Sequence, residues 1–254
     1  MAVSEYTRDL IVEEAERLDL QRGTDFAPRL REKVAISYPA IDTSVYVDLD
    51  ESRIDAALAA RGLERDGYVL FLSRLARAKG VDDLIDGFAR SAAASTHTLV
   101  IAGRGPEAQE LREQAAASPA ADRIRFLDDV GDGEKPYLMA GSAAYALPTK
   151  PRPEFVETFG IALAESMLAG GGPVITTVTG GVGEAVGDTA IIVPVDAPDA
   201  IAVAIDEAVA LAPEEREGRR RRAREHALQF DRGAVFDRLF AALPDAARRA
   251  VTVA

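Results

Sequence analysis

The chain has 254 residues, 48% hydrophobic and 28% charged, with a formal charge of -12 and a pI near 4.8. It is long enough for one large α/β domain or a domain with an appendage, and its net charge excludes nucleic acid and anionic membranes as partners of the whole surface, leaving only a local basic pocket open to anions. With no cysteine there are no disulfides, thiol nucleophiles or thiolate metal sites, and two histidines, His97 and His226, are too few for a histidine-rich metal site.

The opening "MAVSEYTRDLIVEEAERL" lacks a basic stretch followed by an apolar core, so it does not read as a signal peptide. No run of about 18 apolar residues exists for a membrane span, and the reading is cytoplasmic or at most membrane-peripheral. The first 40 or so residues hold a short "AVS", a helix over residues 6–18 and a strand-like "KVAISYPAID" leading into a linker. Such elements are too few for a core of their own, and they look like the end of another domain or an arm.

From Tyr68 onward, short apolar runs alternate with longer amphipathic segments. Strands are expected over residues 68–75, 97–103, 123–128, 143–148, 173–178 and 190–195. Helices are expected over 80–94, 106–117, 134–142 and 159–169, with a helical turn at 181–186 and three closing helices over 198–212, 213–230 and 232–250. Apolar strands separated by helices, with almost no hairpin signals, indicate an α/β fold, a Rossmann-like parallel sheet with helices on both faces. Its ligands sit at the carboxyl ends of the strands.

Glu165 is the only charged residue between Glu157 and Glu184. An unpaired carboxylate is costly to bury, so Glu165 reaches either solvent or a polar partner, and spacing alone does not decide which. If a helix starts at Glu157, eight residues of rise separate the two carboxylates by roughly 12 Å. That suits two ends of an extended ligand better than the closer pair that glycoside hydrolysis needs. Between them, "TFG" puts the amides of Thr158, Phe159 and Gly160 at a helix start, where free N–H groups can hold a phosphate or a sugar hydroxyl. In "FLSRLARAKG", Arg74 and Lys79 leave the carboxyl end of the first strand and suit a diphosphate, whereas Arg77 reads as a solvated loop cation. Two glycine loops, "IAGRGPE" and "TGGVGE", follow strands but are weak signals alone, and the first lacks the full dinucleotide pattern and does not sit on the first strand. The basic run "GRRRRAREH", interleaved with glutamates, reads as an ion-paired helix face that includes His226.

Taken in order, "SRLARAKG", "IAGRGPE", "RFLDDV", "ETFGIALAE" and "GGPVITTVTGGVGE" resemble the C-terminal, donor-binding half of a family 4 retaining glycosyltransferase with the GT-B fold, from about residue 33 to the closing helices. The resemblance implies that residues 1–44 are the end of an N-terminal GT-B domain with its interdomain linker, and that residues 45–254 bind a nucleotide sugar. It implies Arg74 and Lys79 on the donor diphosphate and Glu157 beside the donor sugar. The amides of Thr158, Phe159, Gly160 and Ile161 would surround sugar and phosphates, Glu165 would hold the ribose hydroxyls, and the backbone at Val130 would meet the nucleobase.

The activity implied is transfer of a sugar from a nucleotide diphosphate donor, of UDP or GDP type, to an unidentified hydroxyl acceptor with retained anomeric configuration. No metal is obligatory, because cations and amides would stabilise the leaving diphosphate. Departures from the family pattern are Ser73 for glycine, Gly183 where proline is usual, and the longer lead "KPRPEFV" into Glu157. The family's acceptor-binding domain, with its histidine, has no counterpart here, so transfer would need an N-terminal domain partner, and a second copy of the chain is the other partner to expect. The alternatives are a nucleotide-sugar-binding or scaffold module without transferase activity, and a GT-B epimerase or phosphorylase, which does not predict this glutamate spacing.

Overall fold

The sheet is built from β1 (Tyr68–Leu72), β2 (Thr98–Ala102), β3 (Ile124–Leu127), β4 (Ala144–Leu147), β5 (Val174–Thr176) and β6 (Ile191–Ile192). In the computed structural model, which describes residues 1–242, these six strands pair in parallel in the order β3-β2-β1-β4-β5-β6. Tyr68 to Leu72 lie opposite Thr98 to Ala102, and Val69 lies opposite Ala144. Every residue of β1 and β4 is buried. A sheet covered on both faces has no solvent side, which is why these strands read as unbroken apolar runs. The chain direction along the sheet reverses between β1 and β4, and that crevice is where an open α/β sheet binds ligands.

The helices are α1 (Glu5–Arg22), α2 (Phe26–Lys33), α3 (Glu51–Ala60), α4 (Val81–Arg90), α5 (Ala108–Ala117), α6 (Lys135–Ala140), α7 (Ile161–Ala169), α8 (Val182–Val186), α9 (Pro198–Ala210), α10 (Pro213–Ala227) and α11 (Arg232–Ala242). One layer joins α5, α4 and α9; the other runs α3, α6, α7, α10. Phe71, Phe88, Leu84, Leu70 and Leu163 are fully enclosed between sheet and helices. Each such side chain contributes about 1.5–3 kcal/mol relative to exposure.

The strand-like segment at 33–42 is not a sheet strand. It makes a single parallel bridge, with Ala2 N donating to Ala35 O at 2.9 Å and Ser37 N to Ala2 O at 2.8 Å. Its partner is too short for more, because Ser4 already caps α1, its Oγ accepting from Thr7 N at 3.0 Å. Two helices appear where none was expected. Asp19, in the last turns of α1, accepts from Phe26 N and Ala27 N at 2.9 and 2.8 Å and starts α2. Asp50 caps α3 through Ser52 N and Arg53 N. At the other end, helix 213–230 stops at Ala227 and finishes as a tight turn over Leu228–Phe230. The last helix is found from Arg232 to Ala242, and the rest of its expected span, 243–250, lies outside the described residues.

Residues 1–44 lie against the remainder rather than apart from it. Glu184 accepts from Glu5 N at 2.7 Å and Tyr6 N at 3.1 Å, putting a carboxylate at the positive end of α1. Ile41 N donates to Phe230 O, and Arg232 N donates to Ile41 O, each at 2.9 Å. Tyr38, Phe159 and Phe230 form a mutually tilted aromatic trio with ring centres 4.8 to 5.7 Å apart.

Candidate functional site

The residues singled out from the sequence come off the carboxyl ends of β1, β3 and β4, so topology alone gathers them at one edge of the sheet. Arg74 stands two residues beyond β1, exposed, and takes part in no ion pair among the described residues. Lys79 closes a short helical turn, Arg77–Lys79, just before α4. Its Nζ donates to the carboxylate of Glu157, and the two side chains are only 13% and 11% exposed. A nearly enclosed ion pair at a ligand edge is a charge-compensated resting arrangement that an incoming anion must compete with. Arg77 is 67% exposed and pairs with Glu107 at 3.3 Å and Glu110 at 3.8 Å, as a solvated loop cation does.

Glu157 is not on a helix. Helix α7 begins at Ile161, two residues later than expected, because Gly160 caps it with a φ of 98°, a left-handed backbone that cannot continue a right-handed helix. The roughly 12 Å helical separation of Glu157 and Glu165 therefore does not apply, since Glu157 sits in the preceding loop. The amides of Thr158 and Phe159 belong to that loop, whereas Gly160 and Ile161 stand at the helix start, Gly160 O accepting from Leu163 N at 3.0 Å. Thr158 is exposed, and the Phe159 ring is buried in the aromatic trio, so only its backbone can face a ligand.

The glycine loops set the position of these elements. A Cβ on Gly105 would stand 2.0 Å from Leu75 O, and one on Gly180 would stand 2.0 Å from Glu157 O. Each loop thus presses backbone on backbone against a segment that carries a site residue, and Gly181 N donates to Glu157 O at 2.9 Å.

Glu165 turns its carboxyl inward on α7, half-buried. Burial raises its pKa above the ordinary carboxylate value, opposed by the nearby Tyr46 hydroxyl and by Lys135. Burial and the Glu165 carboxylate in turn push the Tyr46 hydroxyl far above its ordinary range. Asp132 acts on both groups, which brings the loop after β3 to Glu165. Val130 opens that loop, half-buried against the core. The arrangement falls into two parts, then: Lys79, Glu157 and the start of α7 around one centre, and Glu165, Tyr46 and the loop of Asp132 around another, while Arg74 makes no side-chain contact among the described residues that ties it to either.

Tyr46, Lys135 and Lys150 were not legible as part of this edge. Lys150 follows β4 and is 2% exposed, donating to Asp82 and Asp83 at 2.8 Å each and lying 3.2 Å from Asp196. Burial lowers its pKa, but Asp82 and Asp83 outweigh that and raise it. Its burial among distant carboxylates has no local sequence signal. Among the described residues there is no group of three histidine, cysteine or acidic side chains able to hold a metal ion. No helix there is long and apolar enough to cross a membrane.

The basic run on α10 departs from the expected ion-paired face. Arg219 pairs with Glu207 and Glu215 and Arg220 with Asp66 at 3.3 Å, but Arg220 Nε also donates to Gly171 O at 2.9 Å, and Arg224 donates to Leu168 O and Ala169 O at 2.9 and 3.2 Å. These arginines satisfy the carbonyls that α7 leaves open at its C-terminal end. His226 lies 3.3 Å from Glu184 O and packs on Phe230. A polar cavity of about 470 Å³ lies under this helix, lined by Arg220, Arg221, Arg224 and Glu51 among others, and none of the expected site residues borders it. His97 bonds Thr96 at the start of β2 and has no part in the site.

Residues 56–226 match the family described as Glycosyl transferases group 1. Among curated proteins, the chain is 29% identical to D-inositol 3-phosphate glycosyltransferase of Salinispora tropica, over 76% of this chain and 43% of that protein. Among solved structures, HepE of Anabaena in complex with UDP and glucose superposes with a TM-score of 0.74 at 23% identity, covering 94% of this chain and 60% of that one. The C-terminal domain of the group 1 glycosyl transferase LpcC of Francisella tularensis superposes with a TM-score of 0.63 at 16% identity, covering 75% of this chain and 97% of that domain. The chain spans less than half the length of the curated relative and about three fifths of HepE.

Proposed function

Because the chain belongs to the Glycosyl transferases group 1 family, we propose that it is the donor-binding, C-terminal part of a family 4 retaining glycosyltransferase of the GT-B type. Its activity is transfer of a sugar from a nucleotide diphosphate sugar to a hydroxyl acceptor, with the acceptor supplied through an N-terminal domain. The observation that carries this reading is the pairing of two differently held carboxylates at one sheet edge: Glu157 bound to Lys79, and Glu165 half-buried on α7. The match to a separately folded C-terminal domain supports the domain assignment. The UDP complexes of HepE make UDP the first donor nucleotide to test. A cytoplasmic location belongs to the same reading.

In this mechanism the diphosphate takes Lys79 from Glu157 and gains Arg74 and the amides of Thr158, Phe159, Gly160 and Ile161. Negative charge that develops on the leaving diphosphate meets donors already in position, which is electrostatic stabilisation without solvent reorganisation. Glu157, released from Lys79, accepts from the donor sugar's hydroxyls and orients it. Glu165 accepts from the ribose hydroxyls, and the backbone at Val130 borders the base.

Calorimetric titration with UDP, GDP and ADP, without divalent metal, tests the reading on the wild type, Glu165→Ala and Arg74→Ala. One nucleotide should bind the wild type and bind each variant about tenfold or more weakly, the loss of charge-assisted hydrogen bonds. Binding that neither substitution weakens would remove both residues from the site. Binding without transfer to any hydroxyl acceptor, even with an N-terminal domain supplied, would favour a binding or scaffold module.

A further inference from the structure

Between β4 and Glu157 the chain makes a detour, PTKPRPEFV, over residues 148–156. The detour is tied down at its root by Lys150, whose ammonium is enclosed by Asp82, Asp83 and Asp196. It is closed on itself where Arg152 N donates to Phe155 O at 2.9 Å and Phe155 N donates to Arg152 O at 3.1 Å, across Pro153 and Glu154. At its end, Val156 stands against Gly180, in the loop that also holds Glu157. Three attachments within seven residues make a ledge with little freedom, and the side chain it presents is a phenyl ring.

The Phe155 ring centre lies 4.9 Å from Lys79 Nζ. Lys79 and Glu157 are nearly enclosed, yet Phe155 stays 40% exposed. One part of the ring therefore rests on the ion pair, and the rest offers uncovered apolar area at the same edge. A built ledge that holds a large apolar side chain half out of the core, over a charged centre, has the form of a ligand wall: few charged groups for orientation, apolar surface for shape. The cations and amides around it do not discriminate among donors. Arg74, Lys79 and the α7 amides meet a diphosphate alike whatever sugar it carries. A pyranose presents a face of C–H groups, and an aromatic ring is the surface that complements it.

We propose that Phe155 is a specificity-determining residue that forms the apolar wall for the sugar half of the donor, and that the ledge rooted at Lys150 holds it there. This rests on the donor-binding reading above. The ring contributes to the sugar conjugate and not to the free nucleoside diphosphate.

The test is calorimetric titration of the wild type, Phe155→Ala and Phe155→Tyr with UDP, GDP, UDP-glucose and GDP-mannose, with thermal melts confirming that each variant is folded. For the nucleotide that binds, the diphosphate should keep its wild-type affinity in Phe155→Ala within about twofold, while its sugar conjugate weakens about threefold to tenfold, the range of one aromatic contact, and Phe155→Tyr recovers it. If diphosphate and conjugate weaken by the same factor, the ring merely clamps Lys79 and the proposal is overturned. If neither changes while the diphosphate still binds, Phe155 serves another surface and only this inference fails. If no diphosphate binds the wild type, the donor reading fails and takes this inference with it.

Discussion

Two sets of cationic side chains serve this protein in opposite ways. On α10, Arg216, Arg220 and Arg224 are committed to neighbours: Arg216, 9% exposed, reaches Asp66 and Ala143 O at 3.1 Å and Ala208 O and Val209 O at 3.3 Å, while the other two close the C-terminal end of α7. After β1, Arg74 is exposed and Lys79 is held by a single carboxylate. The sequence is richest in positive charge on α10, where these three arginines are already committed, and sparse after β1, where Arg74 is in no ion pair among the described residues. Availability depends on which carbonyls and carboxylates the fold brings to each cation, and the charge count along the chain does not report it.

The contrast can be broken in several ways. Its largest expected effect is from Arg216→Ala, which leaves the Ala143, Ala208 and Val209 carbonyls without this donor and Asp66 with Arg220 alone. A loss of about 3–5 kcal/mol in urea unfolding is expected, with the nucleotide affinity of the folded fraction unchanged. A variant as stable as the wild type would mean that α10 does not depend on this arginine.

Lys79→Ala should cost less, about 1–3 kcal/mol, because it strands one nearly enclosed carboxylate. Adding Glu157→Gln should recover most of that stability without recovering diphosphate binding, so a double-mutant cycle separates the two roles. Additive stabilities would show that the pair contributes nothing to the fold.

Glu165→Gln sharpens the contrast through pH. The carboxyl of Glu165 is raised above its ordinary value of 4.5 by burial. The folded protein therefore binds that proton more tightly than the unfolded chain, and the stability this lends is complete below 4.5 and lost as pH rises through the raised value. The variant should match the wild type in acid, exceed it at neutral pH, and bind nucleotide more weakly. Parallel stability curves at all pH values would refute the burial argument.

The smallest effect on stability is expected for Arg74→Ala, within about 0.5 kcal/mol of the wild type, since nothing in the fold leans on it. Its whole effect should appear in diphosphate affinity.

The sheet was legible because its strands are buried on both faces, and unbroken apolar runs such as YVLFL and TLVIA have no other plain reading. The helices at the start were not. Helix α2 is begun by Asp19, seven residues before it and inside another helix, while the Asp50 cap of α3 stands in a stretch between residues 45 and 67 to which the sequence pattern assigns no element. Among the candidate residues, Arg74, Lys79 and Glu157 could be picked out because loop position and charge are local properties, and Glu165 because it is a lone charge in an apolar helix. Tyr46 and Lys150 could not, since what makes each matter is a partner from a distant part of the chain. The start of α7 was misjudged by two residues because helix-forming composition does not reveal the left-handed turn at Gly160.

The loop at Gly180 also behaves as a spacer of fixed thickness. On one side its backbone touches Glu157 with no room for a methyl group, and four residues on, Glu184 grips the first amides of α1. The leading arm of the chain and the carboxylate of the first centre are therefore mounted on the same short strut. A single added carbon at residue 180 would shift Glu157 from Lys79 although it touches neither side chain. Any force that tilts α1 acts on the same strut and so on the geometry of the charged centre.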